Sequence, residues 1–313
     1  MIELSLVVPV YNEADALQLF IDRVSAVLKP LADVSTEIVF VNDGSTDGSL
    51  DVLLGLRAPP FRIKVVDLSR NFGKEAALTA GLQNAGGQVV VPIDADLQDP
   101  PELIPEMIAK WREGYEVVLA RRVDRAADSW AKRASASAFY RLHNKIASPQ
   151  IPENVGDFRL MDRRVVEALK SLPESQRFMK GLFAWVGFRT ATIDYARPER
   201  SAGSTKFNGW KLWNFALEGV TSFSSYPLRV WTYLGAVVSL FSFVFAIGVV
   251  IRVFLFGIDV PGYASLFVAI NFLGGVQLIG IGILGEYLGR NYFESKRRPV
   301  YLVRHIYDDQ ARQ

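Results

Sequence analysis

Two stretches of this chain carry no charged residue: Trp231 to Ile251 and Tyr263 to Gly285. Each meets the roughly 20 apolar residues that cross a bilayer as a helix. Lipid offers the backbone no hydrogen-bond partner, so a spanning segment must satisfy its own amides and carbonyls. Two buried core helices are the weaker reading of such runs. Phe254 to Gly262 joins them and is too short to be a domain. The pair is therefore expected to form a helical hairpin with both outer flanks on one side. Those flanks carry Arg229 before the first span and Arg290, Lys296, Arg297 and Arg298 after the second. Between the spans only Arg252 is basic, and its long stem lets it snorkel. The positive-inside rule then places both termini and the bulk of the chain in the cytoplasm, making this an integral inner- or plasma-membrane protein. Met1 leads straight into a strand-like segment, so no signal peptide is expected.

The remainder reads as a soluble domain. With 313 residues there is room for one sizeable domain besides the hairpin, and the net charge of +2 gives no bulk electrostatic case for nucleic acid. The absence of cysteine excludes disulfides and thiolate metal sites. Strand-like runs at Ile2–Val10, Glu37–Val41, Ile63–Leu68, Val89–Asp94 and Tyr115–Ala120 alternate with helical patterns at Ala14–Leu31, after Asn42–Ser49, at Gly73–Asn84 and at Pro101–Trp111. Apolar strands alternating with helices predict an α/β domain, Rossmann-like, with a mostly parallel sheet covered on both faces. Helices follow at Trp130–Ile146, Arg164–Leu169 and Phe178–Trp185, and Arg189–Tyr195 reads as a last strand. From Trp210, the residues Trp213, Leu217 and Val220 recur at helical spacing, which predicts an amphipathic helix lying in the membrane interface. The expected division is residues 1–207 for the catalytic domain, 208–228 for the interfacial segment, 229–257 and 262–291 for the spans, and 292–313 for a cytoplasmic tail.

Ligands of parallel sheets sit at the carboxyl ends of the strands. The polar turns at Tyr11, Asp43, Ser69 and Asp94 all fall there and should converge. The most specific of them is Asp94-Ala95-Asp96. Two carboxylates two residues apart on extended backbone point the same way and repel unless a cation lies between them. Hard oxygen ligands favour Mg²⁺ or Mn²⁺, and Gln98 adds a third oxygen on the same side. Acids at early strand ends, with a cation that can hold a diphosphate, describe a nucleotide-diphosphate donor site without a phosphate-cradling glycine loop.

Five strings, in order, carry a resemblance: Val8-Pro9-Val10-Tyr11-Asn12-Glu13, Val41-Asn42-Asp43-Gly44-Ser45-Thr46-Asp47, Ser69-Arg70-Asn71-Phe72-Gly73-Lys74, Asp94 to Glu102, and Gly156-Asp157-Phe158-Arg159-Leu160, extended by Gly203-Ser204-Thr205-Lys206-Phe207. The sequence resembles the inverting family 2 glycosyltransferases of the type A glycosyltransferase fold. Within them it is most similar to the polyprenyl-phosphate branch, which includes dolichol-phosphate mannose synthases and the bacterial undecaprenyl-phosphate glucosyltransferases of O-antigen glucosylation. The resemblance implies that Pro9, Tyr11, Glu13, Asp43, Lys74 and Asp94 bind the nucleotide, and that Asp94, Asp96 and Gln98 surround Mg²⁺ or Mn²⁺. It implies that Asp157 is an active-site acid, that Asp96, Arg200 and Lys206 take part in catalysis, and that Arg121, Arg133, Arg200 and Lys206 meet the donor and acceptor phosphates.

The implied reaction moves a sugar from a nucleotide-diphosphate sugar to a polyprenyl phosphate, with UDP-glucose and undecaprenyl phosphate as the expected pair. GDP-mannose and a modified UDP-arabinose remain alternative donors. A processive polysaccharide synthase would carry Gln-x-x-Arg-Trp after the acid. Gln176-Arg177-Phe178 does not complete that motif, and two spans cannot enclose a polymer channel. A membrane-anchored nucleotide-sugar binding protein without turnover is the rival of another class. Gly280-Ile281-Gly282-Ile283-Leu284-Gly285 imitates a dinucleotide fingerprint but lies in an apolar span and follows no strand. Gly285 and Gly289 are either a close-packing face for a homo-oligomer or merely tolerated in a membrane helix. His143 and His305 have no partner at metal spacing and read as ordinary residues.

Overall fold

The computed structural model describes residues 2–31, 34–57, 59–123, 152, 154–175, 177–196, 226–256 and 262–308. The chain opens with β1 (Leu4–Val10), α1 (Ala14–Leu28), β2 (Thr36–Asn42), α2 (Ser49–Gly55), β3 (Arg62–Leu68), α3 (Lys74–Asn84) and β4 (Val89–Pro92). A 3₁₀ turn at Pro101–Leu103 leads into α4 (Ile104–Arg112). Then come β5 (Val117–Arg122), β6 (Val155–Asp162), α5 (Arg163–Ser171), α6 (Met179–Trp185) and β7 (Thr190–Tyr195). Two long helices, α7 (Tyr226–Phe256) and α8 (Tyr263–Ser295), precede β8 (Val303–Asp308).

The eight strands form one sheet in the order β7-β5-β6-β4-β1-β2-β3-β8. Period-two alternation sorts the strand residues onto two faces. In β1, Leu4, Leu6, Val8 and Val10 face one core layer with Leu17, Phe20 and Val24 of α1 and Ile104 and Met107 of the α4 region. Val7, with Val39 and Val41 of β2, faces the other layer, built from α3, α5 and α6. Both faces are thus covered, as the fully apolar runs of the central strands require.

The sheet departs from the expected one in two places. β6 runs antiparallel between β4 and β5, and β8 runs antiparallel along β3. The direction of a strand leaves no mark on an apolar run, so the sequence could not show the reversal. Nor is Tyr195 the end of the last strand. Val303–Asp308, expected only as tail, pairs with β3 and is held there by Arg62 to Asp308 and by Arg304, which lies 3.2 Å from Asp67 and donates to the Ser69 carbonyl at 2.8 Å. An edge strand packs on one side only, so it carries a weak hydrophobic pattern.

α7 and α8 are 31 and 33 residues long. Among the described residues one segment, Phe272–Ser295, is long and apolar enough to cross a membrane. It extends past the charge-free stretch because the helix continues through Glu286 and Arg290. The expected interfacial helix from Trp210 and the helix at Trp130–Ile146 lie outside the described residues. α8 ends against the loop before α6: both carboxylate oxygens of Glu294 accept the Ser175 amide at 3.0 Å. Ser69 then donates its amide to the Leu302 carbonyl at 2.9 Å, so the chain leaving α8 meets the sheet at the carboxyl end of β3.

α3 lies close against β1 because Gly81 has no side chain. A Cβ there would run into the fully buried Val7. Gly81→Ala is expected to destabilise the domain by about 1–3 kcal/mol through overpacking, with a helix-propensity gain of about 1 kcal/mol working against it. Denaturant titration of the two proteins checks the sign.

Candidate active site

The carboxyl ends of β1 and β2 are stitched together by their own turns. Asn12, in the left-handed region at φ 56°, accepts the Thr46 amide on its Oδ1 at 2.8 Å. Its own amide donates to the Ser45 hydroxyl at 3.1 Å, and the Glu13 amide donates to the Ser49 hydroxyl at 3.0 Å. Asp43 extends the stitching to β3, since its carboxylate accepts the Phe72 and Gly73 amides at 2.7 and 2.9 Å. Gly44, at φ +64°, sits directly on the Arg70–Asn71 backbone, where no side chain fits. Burial pushes the Asp43 carboxyl above its usual range against the pull of those two amides.

These turns wall a cleft of about 260 Å³. Pro9, Tyr11, Glu13, Asp43, Lys74, Asp94 and Asp96 all line it, so the residues expected to bind nucleotide converge. Asn71, Gly73 and Ala77 line it as well. The first two belong to a string quoted for the resemblance but were given no role, and Ala77 is one helical turn inside α3.

Asp94-Ala95-Asp96 is not extended. β4 stops at Pro92, which has no amide to donate, and the chain turns through Leu97 at φ 57°. Both acids line the same cleft, each with a different partner. Asp94 is met by the Lys74 ammonium at 2.8 Å, and Asp96 is exposed and accepts the Gln98 amide at 3.1 Å. Gln98 itself is buried and is not among the cleft-lining residues.

Lys74 also reaches Asp157 at 3.1 Å. Its ammonium thus lies between an acid beyond β4 and an acid on β6. Burial alone would lower the Lys74 pKa, but the two carboxylates raise it well above the ordinary lysine range. Burial would raise Asp157, yet Lys74, Lys180 and Arg159 together hold it below the usual carboxylate range. Its Oδ1 is buried and, among the described residues, without a hydrogen-bond partner. Arg121 is committed elsewhere, donating twice to Asp194 at 2.7 and 2.9 Å. Arg133, Arg200 and Lys206 lie outside the described residues.

Residues 5–170 match the model of the family described as glycosyl transferase family 2. The chain belongs to glycosyl transferase family 2. An uncharacterized glycosyltransferase of Synechocystis is 56% identical over 302 residues, 96% of this chain and 95% of that protein. The bactoprenol glucosyl transferase of Shigella phage SfV is 54% identical over 302 residues, 96% of this chain and 98% of that protein. A solved glucosyl-3-phosphoglycerate synthase of Mycobacterium tuberculosis, crystallised with Mn²⁺, uridine diphosphate and glucosyl-3-phosphoglycerate, is 21% identical with a TM-score of 0.47, covering 70% of this chain and 77% of that one.

Among the described residues of this family 2 transferase no three His, Cys, Asp or Glu side chains group as a metal site. Two carboxylates nevertheless suit Mg²⁺, which commonly takes one or two from the protein and the rest from substrate phosphates. Asp96 meets that description: it lines the cleft and, among the described residues, has no ion-pair partner. Asp94 would have to share its charge with Lys74.

Glu75 is the titratable group that the sequence reading missed. It follows Lys74, accepts the Met179 amide at 3.2 Å, and is pushed up to about 7, first by burial and then by Asp157. Nothing in a helical Lys-Glu pair marks it beforehand, because its neighbours come from β6 and α6. A carboxyl whose folded pKa is raised binds its proton more tightly folded than unfolded. Its stabilising contribution is full below about 4.5 and lost as the pH rises through about 7. Glu75→Gln is therefore expected to flatten the fall in stability between those values, as read by thermal melts across pH.

Proposed function

We propose that this chain transfers glucose from UDP-glucose to a polyprenyl phosphate with inversion at the anomeric carbon, on the cytoplasmic side of a membrane. The observation that carries the reading is the meeting of Asp94 and Asp157 on Lys74, which lines the cleft together with Asp94. It stands in a chain similar over nearly its whole length to a bactoprenol glucosyl transferase.

Pro9, Tyr11, Glu13 and Asp43 hold the nucleoside, and Lys74 faces the diphosphate. Asp94 and Asp96 would hold Mg²⁺ or Mn²⁺, which when bound supplies positive charge to the leaving diphosphate. The phosphate of the acceptor has a second pKa of about 6, so it is largely ionised at neutral pH and needs no strong base. One of its oxygens attacks the anomeric carbon while the bond to the diphosphate breaks on the opposite face, and the electron pair leaves with the diphosphate. Asp157, kept ionised by its cationic neighbours, steadies positive charge developing on the sugar ring and orients the reactants rather than taking a proton. Arg200 and Lys206 are proposed to close on the phosphates. α7 and α8 serve as a two-helix anchor that keeps the cleft near the headgroups, because a polyprenyl chain does not leave the bilayer cheaply.

Purified full-length protein given labelled UDP-glucose, GDP-mannose or a UDP-arabinose derivative with undecaprenyl phosphate is expected to make lipid-linked sugar from UDP-glucose alone. A product from another donor reassigns the sugar. Asp94→Ala is expected to lower kcat by about 100-fold or more, the scale of losing one charge-stabilising group at a transition state. Unchanged turnover would remove Asp94 from the site. Asp157→Asn should lower kcat with donor affinity within threefold, about the precision of such titrations, and full turnover would make Asp157 a structural residue.

A further inference from the structure

A second cleft, of about 200 Å³, opens between β5, β6 and α6. Val117, Leu119, Val155 and Phe183 make its walls largely apolar, and two cations, Arg159 and Lys180, are set among them. Arg159 is 6% exposed. Its guanidinium lies 4.0 Å from the Phe183 ring centroid and donates to the Gly156 carbonyl at 2.6 Å, while among the described residues its buried Nε finds no acceptor. A buried guanidinium with an unused donor is costly until an anion meets it. Burial draws its pKa down to about 10 despite the field of Asp157.

Three relations connect this cleft to the first. Asp157 and Arg159 are two apart on β6, so they share a face and stand about 7 Å apart along the strand. Lys74, which lines the donor cleft, touches Asp157, so Asp157 stands between the cations of one cleft and those of the other. The loop entering α6 is pinned through Ser175 to Glu294, near the end of the helix that carries the candidate membrane span.

We propose that the second cleft binds the phosphate of the lipid acceptor, with Arg159 and Lys180 as its cations and the wall of Val117, Leu119 and Phe183 against the first isoprene unit. The proposal deepens the polyprenyl-phosphate reading and rests on it. Arg121, expected at this task, is held by Asp194. Among the described residues, Asp157 feels the charge of both Arg159 and Lys180, and Glu75 that of Lys180.

The test uses full-length protein in detergent, with farnesyl phosphate as the probe and inorganic phosphate and farnesol as control arms, read by calorimetry with and without UDP. Lys180→Gln, at a partly exposed position, is expected to weaken farnesyl phosphate about tenfold, the scale of one charge-assisted contact, and to leave UDP affinity unchanged. Lys180→Arg should restore most of the loss. Arg159→Lys should act in the same direction, but its burial makes Lys180 the deciding position. The acceptor KM should rise in parallel while the donor KM stays put. Wild-type affinity for farnesyl phosphate in Lys180→Gln, or an equal loss of UDP, overturns the assignment. Inorganic phosphate bound as tightly as farnesyl phosphate also overturns it, in favour of a free-phosphate site. Lys180-dependent binding of farnesyl phosphate without glucose transfer keeps the cleft and sinks the proposed reaction instead.

Discussion

One ammonium group, that of Lys74, lies 2.8 Å from Asp94 and 3.1 Å from Asp157. Asp94 follows β4 and Asp157 lies on β6, which runs antiparallel to it, and without a cation between them the two acids would repel. The lysine is the first residue of α3, and α3 is held against β1 and β2 by an apolar face with no room to shift at Gly81. The charge cluster is therefore positioned by packing, not by its own attraction. A half-exposed ion pair is worth little by itself, so what it contributes here is geometry and the ionisation state of its members.

That geometry has a cost distributed over the surroundings. Burial and Asp157 push the Glu75 carboxyl above its usual range, and Arg159 keeps an unused donor in a buried setting. Groups left poorly satisfied in the core mark places where folding yields to function. They lie together on the α3–α6 face of the sheet, next to the cleft and away from the tight α1–α4 layer.

The same edge receives the long helices. Glu294 binds the loop before α6, and the segment after α8 joins β3 as an edge strand through Arg304, Asp67 and Ser69. Asp67 in turn accepts from Asn42 at 2.7 Å, one residue before Asp43. An unbroken set of contacts thus runs from the candidate membrane span to the wall of the cleft.

The central strands, the covered sheet and the convergence of Pro9, Tyr11, Glu13, Asp43, Lys74 and Asp94 were legible in the sequence. Apolar periodicity and strand-end polarity are local properties that every residue carries with it. Strand direction, the edge strand at Val303–Asp308 and the turn through Leu97 after Asp96 were not, since each depends on what the chain packs against. Lys74 could be named from its motif, but its bridging of Asp94 and Asp157 could not. Glu75 and Lys180 had no signal at all: 105 positions separate them in the chain. The sequence by itself determined which segments are apolar and which turns carry acids. Only the tertiary structure decided which charges share a space, because electrostatic strength depends on distance and burial that no linear pattern encodes.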